Sequence, residues 1–212
     1  MTDQAQALTL VRIREYLTLY YSPLPQGIEV DVQKYLELLG LWGKKINLTG
    51  IHEREEIVKI HFGESIFAFS AGMRQEGRLA DLGTGSGFPG LALKLAAPNL
   101  LVTLVEPNKK KCAFLHEIVR KLGLRDVKIA PSKFENADIP EGSLDAITCR
   151  ALGLNEQLLG WSKRTLAQKG ELFLWLGGHD CERASQILGW KWERPKLIPE
   201  TRERYILKGK PE

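Results

Sequence analysis

The sequence contains few cysteines and no long apolar run. Its three cysteines, Cys112, Cys149 and Cys181, match neither a disulfide framework nor a pair of metal-binding thiols, so we expect reduced thiols. The best candidate for a membrane span, 91–105, is interrupted by charged and polar residues. Residues 1–17 carry four charged side chains where a signal peptide has an uninterrupted apolar segment. These absences predict a soluble, cytoplasmic protein.

Histidine is also scarce, and the four histidines do not have the spacing of metal ligands, so we expect no metal site. The net charge is only +4, but the basic excess is local. Residues 107–133 hold eight Lys/Arg against two Asp/Glu, and residues 190–210 hold seven against three. Such a local excess is typical both of a site for a polyanion and of a solvated face.

The 212 residues, of which 43% are apolar, are enough for one domain and an additional segment. Residues 1–75 place apolar side chains at helical intervals, which predicts a helical N-terminal extension. In 76–212 short apolar runs alternate with helical ones, the pattern of repeated βα units in a largely parallel sheet. The predicted strands are 78–82, 101–106, 127–130, 144–149 and 171–176, with short β-like runs in the tail that would pack at one sheet edge.

The segment most informative about chemistry is the glycine-rich run 81–90, Asp-Leu-Gly-Thr-Gly-Ser-Gly-Phe-Pro-Gly, at a predicted strand-to-helix turn. Glycines let the backbone turn sharply and approach a ligand closely. The run satisfies both the GxGxxG pattern of dinucleotide sites and a DxGxGxG pattern. Asp81 favours S-adenosylmethionine, because a carboxylate there would face that cofactor's ammonium group and would repel a pyrophosphate. Glu106 would accept ribose hydroxyls of either cofactor and does not discriminate.

Four segments carry a family resemblance: 79–91 with the glycine run, 110–115 (Lys-Lys-Cys-Ala-Phe-Leu), 148–151 (Thr-Cys-Arg-Ala) and 42–49 (Trp-Gly-Lys-Lys-Ile-Asn-Leu-Thr). Together they closely resemble the RsmG (GidB) family, bacterial enzymes that methylate guanine N7 in small-subunit ribosomal RNA. The resemblance implies an α/β fold of the class I S-adenosylmethionine-dependent methyltransferases. That fold is a Rossmann-like, seven-stranded, mostly parallel sheet, here with a helical N-terminal extension. The implied cofactor is S-adenosylmethionine, and the implied partner is the ribosomal RNA or the assembled small subunit.

The resemblance also assigns residues by their place in the motifs. Gly83 and Phe88 match the cofactor loop, and Phe134 and Glu135 match the pair that brackets the adenine. Arg150 matches the arginine that lines the cofactor and target pocket. The expected cofactor site is completed by Asp81, Gly85, Gly87 and Glu106.

Three positions depart from the family pattern. Lys111 replaces an arginine and Glu64 replaces an aspartate, so the charge is kept at both. Gly177 replaces a lysine, which removes one expected phosphate or base contact.

Guanine N7 presents a lone pair, so its methylation needs no general base. Positioning of the reactants should therefore dominate, and orientation is worth roughly 7 to 11 kcal/mol at best. The catalytic candidate is Arg150, in an orienting role toward a carboxylate, a phosphate or guanine O6. Contacts to RNA are expected from Asn47, Lys110, Lys111 and Arg204, although each lysine is as typical of a solvated helix face.

Two other classes of function stay open at this stage. One is a methyltransferase for another RNA, a protein or a small molecule. The other is a dinucleotide-dependent oxidoreductase, or a protein of this fold that only binds RNA. A covalent role for Cys149 is disfavoured, because no second cysteine stands in a Pro-Cys context. We expect no membrane partner and a monomeric protein.

Overall fold

The computed structural model describes residues 8–150 and 152–212. Residues 1–7 of the predicted extension and residue 151 of the family-like segment lie outside the described residues. The first part of the chain is helical, as its apolar spacing predicts. Its elements are α1 (Leu10–Thr18), α2 (Ile28–Gly43), α3 (Arg54–Glu56), a π-helical segment (Ile57–Gly63) and α4 (Glu64–Ser70).

Residues 54–70 form one unbroken helix whose middle is π-helical. This widened segment contains His61 and is followed directly by Glu64. Apolar spacing predicts a helix here but not its widening. π-Helical turns are rare and occur frequently at functional sites.

The second part alternates strands and helices. The strands are β1 (Gly77–Leu82), β2 (Leu100–Val105), β3 (Val127–Ala130), β4 (Leu144–Arg150), β5 (Leu166–Gly177), β6 (Trp190–Trp192), β7 (Lys196–Leu197) and β8 (Arg204–Pro211). The helices are α5 (Gly90–Ala96), α6 (Lys109–Lys121), α7 (Glu156–Thr165) and α8 (Gly178–Ser185), with a 3₁₀ turn at Phe134–Asn136.

The strands form one sheet in the order β3-β2-β1-β4-β5-β8-β6, and the two-residue β7 pairs with β8. Strands β1 to β5 pair in parallel, whereas β8 is antiparallel to β5. The seven strands on this path confirm the predicted Rossmann-like, mostly parallel architecture. The tail strands lie together at one end of the sheet, beyond β5, as predicted, and the strand next to β5 is β8. Its buried Ile206 and Leu207 let it lie inside the sheet, between β5 and β6.

The neighbouring strands β3, β2, β1 and β4 end at the same edge of the sheet. Leu82 lies opposite both Val105 and Cys149, and Val105 lies opposite Ala130. The segments that follow these strands therefore meet at the carboxyl edge, where open α/β sheets bind their ligands.

One hydrophobic cluster joins the two parts of the chain. It contains Ile13, Leu17 and Tyr35 from the helices together with Leu91 and Phe114, which pack on the sheet. Burying each such large side chain contributes about 1.5 to 3 kcal/mol. The boundary between 1–75 and 76–212 stays a sequence-based prediction, because the described residues share this core.

No helix among residues 8–150 and 152–212 is long and apolar enough to cross a membrane. Within the same residues, no group of three or more His, Cys, Asp or Glu side chains is arranged to hold a metal ion.

Candidate cofactor and RNA site

The glycine loop follows β1 at the carboxyl edge of the sheet. Gly83, Gly85 and Gly87 have φ values of +66°, +60° and +95°, in the left-handed region that side-chain-bearing residues rarely adopt. The backbone amides of Gly87 and Phe88 donate to the carbonyl of Thr84 at 2.9 and 3.0 Å. The glycines are thus required by the shape of the turn.

Two carboxylates hold the loop from the sheet. Glu106 follows β2 and accepts hydrogen bonds from the amides of Gly85 and Asn108, each at 2.9 Å. Asp81, in β1, accepts from the amide of Gly90 at 2.8 Å and from the Thr148 hydroxyl at 2.9 Å.

The sequence-based role of Asp81 needs a correction. Its side chain is fully buried, and burial raises its pKa to about 6 against the opposing effect of its hydrogen bonds. Its carboxylate accepts from Gly90 and Thr148, and because it is completely buried, neither oxygen is exposed to an ammonium group. Asp81 therefore positions the loop and the start of α5 instead of contacting the donor directly. The motif reveals the acid but not the direction of its side chain.

The space around each glycine of the loop shows whether the lack of a side chain serves packing or leaves room for a ligand. A Cβ at Gly83 would lie 2.8 Å from Leu152, one at Gly87 would collide with the Tyr35 hydroxyl, and one at Gly90 would lie 2.8 Å from Asp81. At Gly85 the nearest atoms are 3.9 Å away or more, and one of them is the ammonium nitrogen of Lys111 at 4.0 Å. Gly85 is thus the glycine with open space above it.

Lys111 therefore lies nearer the cofactor loop than expected from its assignment to RNA. Asn108 caps α6 by accepting from the amides of Lys110 and Lys111 at 2.9 and 3.2 Å. This cap directs the first turn of α6 along the carboxyl edge. Lys109 and Lys110 are exposed there, whereas Lys111 is half-buried.

Phe134 and Glu135 lie in the 3₁₀ turn that follows β3, and Glu106 follows the neighbouring strand β2. The Phe134 ring packs edge-on against Trp161, with ring centroids 5.7 Å apart. Oε2 of Glu135 is buried and has no hydrogen-bond partner among the described residues. An unpaired buried acceptor is costly, so this atom fits a ligand that brings an N–H donor, such as an adenine amine.

Arg150, at the end of β4, contacts the π-helical segment. Its guanidinium donates to the carbonyl of Ile60 at 2.9 Å and lies 3.4 Å from Oε2 of Glu64. Glu64 is 1% exposed, and its other oxygen lies 2.6 Å from the guanidinium of Arg204. Burial raises the pKa of Glu64, while Arg150 and Arg204 oppose that shift. One buried carboxylate thus bridges β4 and β8.

This bridge gives Arg204 a partner within the protein, whereas its assignment to RNA stays a prediction. Its guanidinium is half-exposed but forms the shorter of the two ion pairs with Glu64. Arg204 also lies opposite Gly177 across the β5–β8 pair. The position where the family lysine is missing is therefore beside an arginine, which sequence spacing does not reveal.

His61 links the loop to the N-terminal helices. Its imidazole stacks on Phe88, with centroids 4.8 Å apart and an angle of 18°, and its Nε2 lies 2.7 Å from the Thr49 hydroxyl. Burial, with a smaller effect of Arg150, lowers the pKa of His61 to about 4, so the ring is neutral at pH 7. Thr49 and the exposed Asn47 line an open groove of about 1220 Å³. Lys44, Lys45 and Arg54 also line this groove.

A family model described as GidB, rRNA small subunit methyltransferase G, matches residues 28–187. The chain is 38% identical over 171 residues to Ribosomal RNA small subunit methyltransferase G of Stenotrophomonas maltophilia (strain K279a), covering 79% of this chain and 78% of that one. The chain belongs to this family. A second relative with the same name, from Xanthomonas campestris pv. campestris (strain B100), is 35% identical over 171 residues, with 78% and 79% covered.

The structural comparison agrees at the level of the fold. A SAM-dependent methyltransferase from Aquifex aeolicus superposes with a TM-score of 0.61 at 17% identity, covering 74% of this chain and 93% of that one. Membership of the rRNA small subunit methyltransferase G family confirms the resemblance seen in the motifs. It also confirms S-adenosylmethionine as the cofactor, in place of a dinucleotide.

The local features fit that cofactor. Gly85 leaves open space, Glu106 follows β2 where a ribose-binding acid is expected, and Glu135 offers an unpaired acceptor. Cys149 is not suited to be a nucleophile in this chain. It is 3% exposed, and burial raises its pKa to about 12, so the reactive thiolate is absent at neutral pH.

Sequence reasoning missed the roles of Tyr35 and Glu64. Tyr35 belongs to an apolar helical stripe, and only its hydroxyl distinguishes it from a core residue. For Glu64 the sequence shows only that the charge of the family aspartate is kept; the burial that requires a cationic partner is a property of the fold.

Proposed function

We propose that this chain transfers the methyl group of S-adenosylmethionine to N7 of a guanine in small-subunit ribosomal RNA, acting as a cytoplasmic monomer. The observation that carries the proposal is that, in this member of the family, the residues expected to bind the cofactor lie at the carboxyl edge of the sheet. There the open glycine loop, Glu106 and Glu135 follow neighbouring strands, and Lys111 of α6 lies beside the loop.

The bound cofactor supplies an activated methyl group whose bond to sulfur breaks as the bond to N7 forms, leaving a neutral thioether and a positive purine. The residues near the loop suit a nucleophile that loses no proton. His61 is neutral but stacked and buried, and Asp81 is fully engaged in hydrogen bonds. Guanine N7 already presents its lone pair, so the site needs no base and only has to orient the reactants.

The orienting roles follow from position. Gly85 lets the backbone approach the cofactor, Glu106 accepts from the ribose, and Glu135 accepts from the adenine. Arg150 orients the target or the cofactor carboxylate from the end of β4. Lys111 lies beside the loop, where its charge attracts an anionic group of the cofactor or of the RNA.

Two basic surfaces support an RNA substrate. Lys109 and Lys110 are exposed on the first turn of α6, and among the described residues neither forms an ion pair. The groove near Asn47 is bordered by Lys44 and Lys45, which are exposed too. Phosphates neutralised by such lysines release counterions, so RNA binding should weaken with salt.

The direct test is transfer of a labelled methyl group from S-adenosylmethionine by the purified full chain. Substrates are naked small-subunit ribosomal RNA, assembled small subunits, total transfer RNA and a metabolite extract. We expect label in small-subunit RNA, at a guanine where borohydride reduction followed by aniline treatment cleaves the RNA chain. Label confined to another substrate, or at a position that resists this chemistry, would contradict the proposal.

A further inference from the structure

Tyr35 connects the N-terminal helices to the glycine loop. Its side chain lies in the middle of α2 and is fully buried. Its hydroxyl donates a hydrogen bond of 2.6 Å to the carbonyl of Ser86, a residue 51 positions along the chain. Ser86 lies between Gly85 and Gly87, at the centre of the loop.

The ring of Tyr35 is held in place by aromatic contacts. Phe62 of the π-helical segment, Phe88 of the loop and Phe114 of α6 have ring centroids 5.2, 5.4 and 6.2 Å from it. Aromatic pairs at such distances add stability beyond area burial. The hydroxyl is therefore presented to Ser86 by a ring with little freedom to turn away.

Among the described residues, three side chains anchor the backbone of the loop. Glu106 holds the amide of Gly85, Asp81 holds the amide of Gly90, and Tyr35 holds the carbonyl of Ser86. Of the first two, Glu106 directly follows β2 and Asp81 lies in β1. The third comes from the N-terminal helices, and it is the anchor nearest the middle of the turn.

The hydroxyl does more than pack. No other described donor reaches the carbonyl of Ser86, so its removal would leave a buried acceptor without a partner. The hydroxyl also occupies the space where a Cβ at Gly87 would lie, so the glycine and the tyrosine fit each other. Burial, with a smaller effect of Asp81, raises the pKa of Tyr35 well above its ordinary value, so the donated proton is retained.

We propose that Tyr35 is a positioning residue for S-adenosylmethionine. Its hydroxyl holds the glycine loop in the shape that accepts the cofactor, which makes α2 a part of the cofactor site. The inference rests on the cofactor and is independent of which base or RNA receives the methyl group.

The test compares two tyrosine-to-phenylalanine variants of the full chain. Tyr35→Phe removes the bond to Ser86 and keeps the ring. Tyr16→Phe is the matched control, because Tyr16 is also buried in the N-terminal helices and its hydroxyl donates a 2.6 Å bond, to Glu55. Titration calorimetry gives the Kd for S-adenosylmethionine, and thermal unfolding gives the stability of each variant.

We expect Tyr35→Phe to weaken S-adenosylmethionine binding about ten-fold, because the free loop relaxes to satisfy the carbonyl of Ser86 and binding must reverse that relaxation. Tyr16→Phe should leave the Kd unchanged. Amide hydrogen exchange in residues 83–90 should be faster in Tyr35→Phe without ligand. In a methyl-transfer assay KM for the cofactor should rise more than KM for the RNA.

Equal cofactor affinities for wild type and Tyr35→Phe would overturn the proposal, as would an equal loss in both variants. A wild-type chain that binds the cofactor but methylates no ribosomal RNA would contradict the proposed function and leave this test intact.

Discussion

The imidazole of His61 lies nearly parallel to the ring of Phe88, with their centroids 4.8 Å apart. The contact joins the π-helical segment to the cofactor loop. Because burial, with a smaller effect of Arg150, favours a neutral ring, the pKa of His61 is about 4, below its ordinary value of 6.5. The pH at which His61 becomes protonated is therefore lower in the folded chain than in the unfolded chain.

Stability should fall as the pH falls from about 6.5 to about 4. In that window the unfolded chain protonates His61 and the folded chain does not, so stability rises with pH, by up to about 3 kcal/mol. Asp81 has the opposite effect on the pH dependence of stability. Its pKa is raised to about 6, so its contribution to stability is lost as the pH rises through that value.

Comparison with His61→Gln separates the two effects, since both proteins retain Asp81. We expect the variant to be less sensitive to acid than wild type in urea unfolding at pH 7.5 and pH 5. His116→Gln is the control, because His116 is exposed on α6. Identical pH dependence of wild type and His61→Gln would show that the ring is not neutral by burial.

Glu64→Gln should destabilise the chain by about 3 kcal/mol, because it leaves two guanidinium groups without their shared buried carboxylate. Urea unfolding at pH 7.5 measures the loss. Glu64→Asp keeps the charge and should lose clearly less. If the glutamine variant proves as stable as wild type, the carboxylate does not hold Arg150 and Arg204 together.

Gly85→Ala should weaken S-adenosylmethionine binding at least about ten-fold, since a methyl group would enter the open space of the loop. The control is Gly123→Ala, because Gly123 also has a φ of +60° and open space around it, but lies after α6. Both variants should lose about 1 to 2 kcal/mol of stability from the left-handed backbone. Calorimetry should find the affinity loss in Gly85→Ala alone, and normal binding by that variant would move the cofactor elsewhere.

Lys110→Ala should weaken binding to small-subunit RNA and reduce the slope of log Kd against log salt by about 0.7 to 1, the effect of one phosphate contact. Lys121→Ala is the control, since Lys121 is exposed at the other end of α6, about 16 Å away at 1.5 Å per residue. Fluorescence anisotropy at several salt concentrations measures both. A slope that Lys110→Ala leaves unchanged would remove this lysine from the RNA interface.

Much of the fold could be predicted from the sequence, because the spacing of apolar residues and the glycines and prolines that end helices and strands are local signals. The strand β3 begins and ends where its apolar run predicts. The length of β5 and the interior position of β8 could not be predicted. Both depend on which strand pairs with which, and pairing between distant segments leaves no periodic signal in either one.

The sequence by itself determined the turn and its chemistry: glycines at 83, 85 and 87 permit the left-handed backbone, and acids stand at the ends of β1 and β2. Only the tertiary structure decided how those side chains are used. It buries Asp81 under the loop, pairs Glu64 with two arginines and brings Tyr35 to Ser86. The reason is that residue type and spacing encode local conformation and burial, whereas the partner of a buried polar group is chosen by how separate elements pack.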